Sequence, residues 1–551
     1  MSEPREPHLR IVRSIDEAEM LAQGSGPAPS GSISGREGPV RDDARPNDRK
    51  GGAGGGGIEW SIDLSCASLP RTDLGNAERF VKRHGKDFLF VSEWGWLAWD
   101  GRRWNASEAD AILARAVHET IRAIAEEADA IKDTRDDILM DPVKRVFLSD
   151  KLRGWCLASQ SSAHIMAVAR LAQSYLSAKS DAFDADPMAF NVLNGTLRFA
   201  RRDDGDYVTF HPHRREDRMT KLAPVEYDPN ATSHVYDRFL ARVQPDDKMR
   251  RHLHAWGGLS LTGQQVARLA FWYGTGRNGK STLVDSWAHV LGDYSQTIPI
   301  ESFLDSGRSR RGGEASPDIA ALPGVRCLRT SEPEKGAKLA ENLVKLVTGG
   351  EPLRARHLNR DFFEFVPIFK LTMQGNYRPE VRGTDEGIWA RILLVPWTVM
   401  VPAEERDVEL PNKLKREASG ILNRLLDGLR DYLDCGLSPP DEVLAATADY
   451  RDDSDPIGRF LKECTERKDP PPADRPQEEY RTGGAEIYRL YVAWAKAYGE
   501  RPWGAKAFSR GLQDHGIQRM KNSGVFYRHI VLIKSTMDFA GQDYGEPDID
   551  K

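Results

Sequence analysis

The segment Arg268–Trp287, RLAFWYGTGRNGKSTLVDSW, constrains this chain more than any other, because it satisfies two phosphate-binding patterns at once. Gly274, Gly276 and Gly279 spell GxGxxG, the dinucleotide fingerprint; Gly274, Gly279, Lys280 and Ser281 spell the GxxxxGKS form of the triphosphate loop. Leu269–Tyr273 is a short apolar run suited to a buried strand. After the glycines, Leu283, Val284, Trp287, Val290 and Leu291 recur at helical spacing until Gly292 stops the helix. Both ligands need that strand, loop and helix, so Lys280 and Ser281 decide. A dinucleotide loop holds pyrophosphate with backbone amides and the helix N-terminus, and gives a lysine no duty. A triphosphate needs more cationic charge: the lysine reaches the β and γ phosphates and the serine hydroxyl ligates Mg²⁺. Gly274, Thr275, Gly276, Arg277, Asn278, Gly279, Lys280, Ser281 and Thr282 are therefore the expected nucleotide-binding residues. The competing reading is a glycine turn with a surface lysine.

The chain has 551 residues, enough for several domains and a buried core. Its 78 basic and 83 acidic side chains leave a formal charge of -5, which gives no overall attraction to nucleic acid but allows a local basic channel. Cys66, Cys156, Cys327, Cys435 and Cys464 form no CxxC pair, against both a disulfide framework and a cysteine-rich zinc site. The amino terminus, MSEPREPHLRIVRS, has no apolar core of a signal peptide, and no long apolar run follows. A reducing cytoplasm and no membrane partner are expected.

Composition divides the chain. Residues 1–57 end in GGAGGGG and are poor in large apolar side chains, the signature of a flexible tail. A mixed α+β region is expected over 58–233. There Trp-Asp-Gly-Arg within FLFVSEWGWLAWDGRRW and Asn194-Gly195 within FNVLNGTLRF predict tight turns, and helical patterns run from Ala109 to about Ser180. The P-loop region spans 234–435. Pro439-Pro440 marks a linker over 436–454, and 455–536 forms a small unit of helices followed by two strands, with 537–551 as a second flexible tail.

Hydrolysis needs an acid at the end of a strand beside the loop, and VRCLRTSEPE offers Glu332 and Glu334 after a short apolar segment. FKLTMQGNYRP puts Asn376 directly after a strand-like run, and IWARILLVPW puts Arg391 directly before one. RARHLNRDFFEF carries Arg354, Arg356, His357 and Arg360 ahead of an aromatic cluster, a composition able to track the phosphates of a single strand. In the last unit Lys506 and Arg510 lie four apart on one helical face, with Arg519, Lys521 and Arg528 nearby. Each has a plainer alternative: a solvated acidic turn, a turn asparagine, a structural salt bridge, a solvated basic face, a protein-docking module.

The block GTGRNGKST resembles the phage and plasmid primase-helicase family, whose motor is a superfamily 3 helicase of the AAA+ class. FNVLNGTL, LAPVEYDP and HAWGGLSLTG upstream, and TSEPEKG, LVKLVTGGEPLRAR, QGNYRP and WARILLVPW downstream, are similar to the family's motifs in order, from about Gly75 to Ile533. The resemblance implies an α/β fold: an AAA+ P-loop core, a mixed α+β region before it and a C-terminal winged helix. It makes ATP the nucleotide, with Lys280 catalytic, Glu332 the acid that with Ser281 holds Mg²⁺, Glu334 its assistant, Asn376 the γ-phosphate sensor and Arg391 a finger reaching the neighbouring subunit. Many relatives have two adjacent arginines there; here Ala390 occupies the first position. The segment Arg354–Arg360 becomes the central-channel hairpin, and Lys506, Arg510 and Arg528 a second DNA contact.

The expected function is an ATP-dependent DNA helicase, 3'-5' by resemblance, working as a homo-hexameric ring on single-stranded or forked DNA in replication of a phage, plasmid or integrated element. The 57 residues before Ile58 leave no room for a polymerising primase domain, so primer synthesis is not expected of this chain, and a separately encoded primase or replication protein is a partner the resemblance allows. An AAA+ remodeller or origin-binding initiator without processive unwinding, and a nucleotide-bound DNA-binding scaffold with negligible turnover, are the alternatives.

Overall fold

The computed structural model describes residues 61–201, 207–305, 317–356, 362–381, 386–470, 480–521 and 524–540, and the expected 1–57 tail lies outside them. Ser61 and Thr72 each accept a backbone N–H three residues on and so start the helices Ile62–Ala67 and Asp73–His84. Strands β1 (Phe88–Val91), β2 (Gly95–Trp99) and β3 (Trp104–Asn105) form an antiparallel sheet. The Trp-Asp-Gly-Arg turn closes between β2 and β3, where Asp100 Oδ1 accepts the N–H groups of Arg102 and Arg103, both at 2.9 Å. Helices Ala109–Arg122, Ile124–Ile131, Leu148–Ala158 and Ser162–Ala172 follow. A hairpin of β4 (Leu139–Asp141) and β5 (Val146–Phe147) interrupts the expected helical stretch. Ile138, Leu139 and Met140 are 56, 47 and 41 % exposed, so neither face of the run is buried and it carries no strand alternation to read.

This helical layer is tied by a buried ion pair. Arg79 Nε lies 2.8 Å from Glu127 Oε2, both side chains fully buried, and Arg83 approaches the other carboxylate oxygen at 3.0 Å. The Arg79 guanidinium also donates to the carbonyls of Pro70, Cys66 and Leu69, so each of its three nitrogens has a partner. Removing one partner strands a charge in the interior, whereas replacing both removes the desolvation problem with the attraction. Glu127→Leu is therefore expected to lower unfolding free energy by about 3–5 kcal/mol, and Arg79→Met with Glu127→Leu to restore most of it, as read by urea denaturation. Equal losses in the single and double variants would refute this.

Strands β6 (Ala189–Val192), β7 (Gly195–Phe199) and β8 (Val208–His211) make a second antiparallel sheet, with Val192 opposite Gly195 across the expected tight turn. After helices His234–Val243 and Asp247–Leu259 the chain lays down β9 (Leu269–Tyr273), β10 (Ser295–Ile298) and β11 (Cys327–Thr330). An antiparallel hairpin of β12 (Leu353–Arg356) and β13 (Phe362–Phe365) comes next, then β14 (Lys370–Gly375) and β15 (Ile392–Pro396). Five of these strands, in the order β10-β11-β14-β9-β15, form one parallel sheet. Both faces are covered: Ala270 and Trp272 of β9 enter one apolar core, with Trp256, Trp287 and Trp397, while Leu269 and Phe271 enter another, with Leu328 and Leu371. The chain is thus a mixed α/β protein with a parallel sheet.

Residues 436–454, expected as a linker, are mostly the helix Asp441–Asp453. Pro439 and Pro440 suit its start, and Val443 and Tyr450, two turns apart, are buried beneath it. The last unit has its own core beneath helices Pro456–Cys464, Gly484–Ala497 and Ala505–Asp514. Strands β16 (Thr465–Arg467), β17 (Arg481–Gly483), β18 (Arg519–Lys521), β19 (Val525–Arg528) and β20 (Ile530–Leu532) pair as β17-β19-β18 and β16-β20. The expected second tail starts inside this unit: Thr536–Phe539 is a 3₁₀ turn, and Phe539 packs on the core.

Candidate nucleotide site

The loop after β9 is shaped by two glycines. Gly279 caps the helix Lys280–Leu291 at φ 86°, a left-handed conformation that a side chain disfavours. Gly375, at the end of β14, has no room for a side chain: a Cβ there meets Pro333 Cδ at 2.7 Å. Pro333 separates the two sequence-picked acids, so this contact brings the Glu332 loop against the end of β14. The Gly274 N–H donates to the Gly375 carbonyl at 3.3 Å, joining the glycine loop to the same point.

Lys280 is buried, and its Nζ donates to Gly274 O at 2.6 Å and Asn278 Oδ1 at 3.1 Å, with Asn376 Oδ1 at the long distance of 3.5 Å. Burial pushes its ammonium below the usual value, and the Glu332 carboxylate pulls the other way. It makes no ion pair among the described residues. A buried cation ringed by neutral acceptors suits an arriving anion, which restores the charge that burial disfavours. Asn376 Nδ2 donates to Glu332 Oε2 at 3.1 Å, so Lys280, Asn376 and Glu332 meet. Their strands β9, β14 and β11 are neighbours, and all three residues stand at or beyond the carboxyl ends, where open α/β sheets take their ligands.

The other loop residues differ in setting. Asn278 is buried and its amide donates to Thr275 O at 2.7 Å and Trp397 O at 3.2 Å, bracing the loop. Arg277 has φ 68°, and its carbonyl accepts from Val401 N at 3.0 Å. Gly276 has open space around it, Ser281 is exposed and Thr282 half-buried. Ser281 Oγ lies 3.4 Å from Gln374 Oε1. Gln374 escaped sequence reading; the two-residue period of extended backbone supplies the signal, because it stands two residues before Asn376, which directly follows β14. Glu334 is exposed, and its side chain makes no hydrogen bond or ion pair among the described residues.

Arg391 lies elsewhere. It precedes β15, whose Ile392 pairs with Leu269 at the amino end of β9, so the site at the far end is five residues, about 16 Å, away at the rise of a strand. Its Nε donates to Thr348 Oγ1 at 3.1 Å and its Nη1 to Gly387 O at 2.6 Å. Arg268, from the adjacent strand end, donates to the Ala390 carbonyl.

The hairpin β12–β13 is two-faced. Leu353, Ala355, Phe363 and Phe365 pack on the core beneath it. Arg354, Arg356, Phe362 and Glu364 share the other face, where the Arg354 and Arg356 guanidinium carbons lie 4.5 and 4.7 Å from the Phe362 ring centre. His357 and Arg360 lie outside the described residues. In the last unit Lys506 and Arg510 are exposed on helix Ala505–Asp514, whose Phe508 and Leu512 are buried. That helix packs on β19 through the Tyr527 hydroxyl, which donates to Ser509 Oγ at 2.8 Å. Arg528, the next residue, takes the opposite side of β19 with Phe526 and Met520, and its Nη2 lies 3.4 Å from Met520 Sδ. The structure therefore does not bring Arg528 onto the face of Lys506 and Arg510.

A mixed α/β protein with a glycine loop, an acid and an asparagine at adjoining strand ends is the class that fold and site define. The family described as D5 N terminal like matches residues 77–245. "Putative helicase L207/L206" of Acanthamoeba polyphaga mimivirus is 28 % identical over 249 residues, covering 42 % of this chain and 26 % of that protein. "Putative helicase 022R" of Frog virus 3 (isolate Goorha) is 28 % identical over 251 residues with the same coverage of each, 42 % and 26 %. The chain thus spans about a quarter of the length of the relatives it matches. Among solved structures, the apo structure of the NrS-1 C terminal region (305-718) superposes with a TM-score of 0.33 and 13 % identity, over 57 % of this chain and 77 % of that one. The family match and these relatives make the chain similar, over part of its length, to D5-type proteins and to viral proteins named putative helicases.

Proposed function

We propose that the chain is an ATP-dependent DNA helicase of superfamily 3, with an AAA+ core and a C-terminal winged helix, acting 3'-5' in replication of a phage, plasmid or integrated element. The observation that carries the reading is the meeting of Lys280, Asn376 and Glu332 at the carboxyl ends of three adjacent parallel strands. The donor set suits a nucleotide triphosphate with a divalent cation: Lys280 for the β and γ phosphates, Ser281 and Glu332 for Mg²⁺, which when bound neutralises phosphate charge. The chain's own contribution is to hold a buried ammonium and an amide-oriented carboxylate in one place, so little rearrangement is needed when charge develops. Names of the relatives carry the word helicase, and they support nucleotide-driven work on DNA as the coarse role. A homo-hexameric ring in a bacterial cytoplasm, with a separately encoded primase or replication protein as partner, completes the reading; no helix of the described residues is long and apolar enough to cross a membrane.

Phosphate release with and without single-stranded DNA tests it. Strong stimulation supports the motor, unstimulated turnover the remodeller, and absent turnover the scaffold. The hairpin supplies the sharper version. With Arg354 and Arg356 on its outward face, Arg354→Ala with Arg356→Ala is expected to remove the DNA-stimulated increment and to flatten the salt dependence of strand binding by about one unit of slope per lost phosphate contact. Unchanged stimulation and slope would make that face solvated surface only.

A further inference from the structure

The guanidinium of Arg378 stands between two tyrosine rings, its carbon 5.1 Å from the centre of Tyr273 and 5.1 Å from that of Tyr450. Its Nη2 lies 2.9 Å from Asp453 Oδ2. These partners come from separate parts of the chain. Tyr273 ends β9 and directly precedes the glycine loop, while Tyr450 and Asp453 belong to the helix Asp441–Asp453. Arg378 itself is two residues past Asn376, whose amide holds Glu332. The buried Tyr450 hydroxyl donates to the Pro379 carbonyl, fastening the same loop to the same helix a second time. A planar guanidinium stacks on rings and pairs with a carboxylate at once, which the point charge of a lysine does less well.

We propose that Arg378 is a positioning residue for hydrolysis: it fixes Asn376 against Glu332 by clamping their loop between Tyr273 and the helix that bears Tyr450 and Asp453. The inference rests on the nucleotide reading of the Lys280 site and deepens it. The alignment of Asn376 then depends on where that helix lies. Asp453 is followed after one residue by Asp455, whose carboxylate caps helix Pro456–Cys464 by accepting from Gly458 N at 2.8 Å and pairs with His515 Nε2 at 3.0 Å, at the end of the helix that carries Lys506 and Arg510. Movement of the last unit reaches the hydrolytic amide through this clamp.

The test is steady-state ATP hydrolysis by the full chain, with affinity for a fluorescent ATP analogue measured in parallel. Arg378→Ala is expected to lower kcat about tenfold to a hundredfold, the size of effect that a small misplacement of a reacting group produces, with KM and analogue affinity nearly unchanged. Arg378→Lys recovers part of that loss. Asp453→Asn shifts kcat in the same direction, and because Asp453 is 59 % exposed this variant keeps the test decisive if Arg378→Ala does not fold. Wild-type kcat in both Arg378→Ala and Asp453→Asn overturns the proposal, as does loss of analogue affinity in step with turnover. If the unmodified chain does not hydrolyse ATP, or Lys280→Ala hydrolyses it equally well, the nucleotide reading has failed and the clamp falls with it. If Lys280 proves essential and the clamp variants behave as wild type, only the clamp is wrong.

Discussion

Lys280→Ala is expected to lower the proposed ATP turnover by about a hundredfold to a thousandfold or more, while the folded chain keeps its stability. The first half follows from the absence of any substitute. Lys280 is the buried cation of the glycine loop, held by Gly274 O and Asn278 Oδ1, whereas Arg277, at φ 68°, is exposed. The second half follows from the sign of the burial effect. Burial disfavours the lysine's charge, so Lys280 carries a desolvation penalty that alanine does not. Two hydrogen bonds are lost in exchange, each a modest net contribution. Phosphate release and thermal unfolding, measured on the same preparation, check both halves. Wild-type turnover in Lys280→Ala would end the motor reading. Lost turnover together with a collapsed melting transition would make the lysine a structural residue whose role is to hold the Gly274 turn.

The parts of this site that were legible in the sequence are those encoded locally. The spacing of the glycine loop marks Lys280, and a run of apolar residues ending in a polar one marks where a buried strand surfaces, which is the signal for Glu332 and Asn376. Their meeting was not legible from any one segment, since Glu332 and Asn376 are 44 residues apart and are joined only because β14 lies between β11 and β9. Arg378 is not legible for the same reason: its partners Tyr273, Tyr450 and Asp453 come from other elements. The helix Asp441–Asp453 was hidden by its own start signal, because a proline pair reads as a break whether a helix follows or not. Arg528 shows how spacing in sequence leaves the side of a sheet open. Proximity in sequence grouped it with Lys506 and Arg510, but the period of a strand turns it to the other side of the sheet from Tyr527, which faces their helix.

Arg391→Ala is expected to slow hydrolysis about a thousandfold or more, the usual worth of an arginine finger, and mixing it with Lys280→Ala is expected to bring activity back. The geometry dictates the design of this experiment. Arg391 stands at the amino end of β15, about 16 Å of strand from the carboxyl end where Lys280, Asn376 and Glu332 meet, so within one chain it cannot touch the γ phosphate they would hold. Its present partners, Thr348 Oγ1 and Gly387 O, are neutral, which leaves its full charge available to an anion presented from outside. If a neighbour presents that anion, every site needs an intact loop from one subunit and an intact arginine from the next. Neither variant alone can assemble such a site. In equal mixtures about one interface in four of a head-to-tail ring pairs an intact loop with an intact arginine, so hydrolysis returns to roughly that fraction of wild type. The amount recovered scales with the product of the two subunit fractions, a dependence that contamination by wild-type protein does not imitate. Rings shown to be mixed but without recovered activity would remove Arg391 from catalysis, leaving it as the residue that ties the start of β15 to the helix Glu341–Gly349 through Thr348.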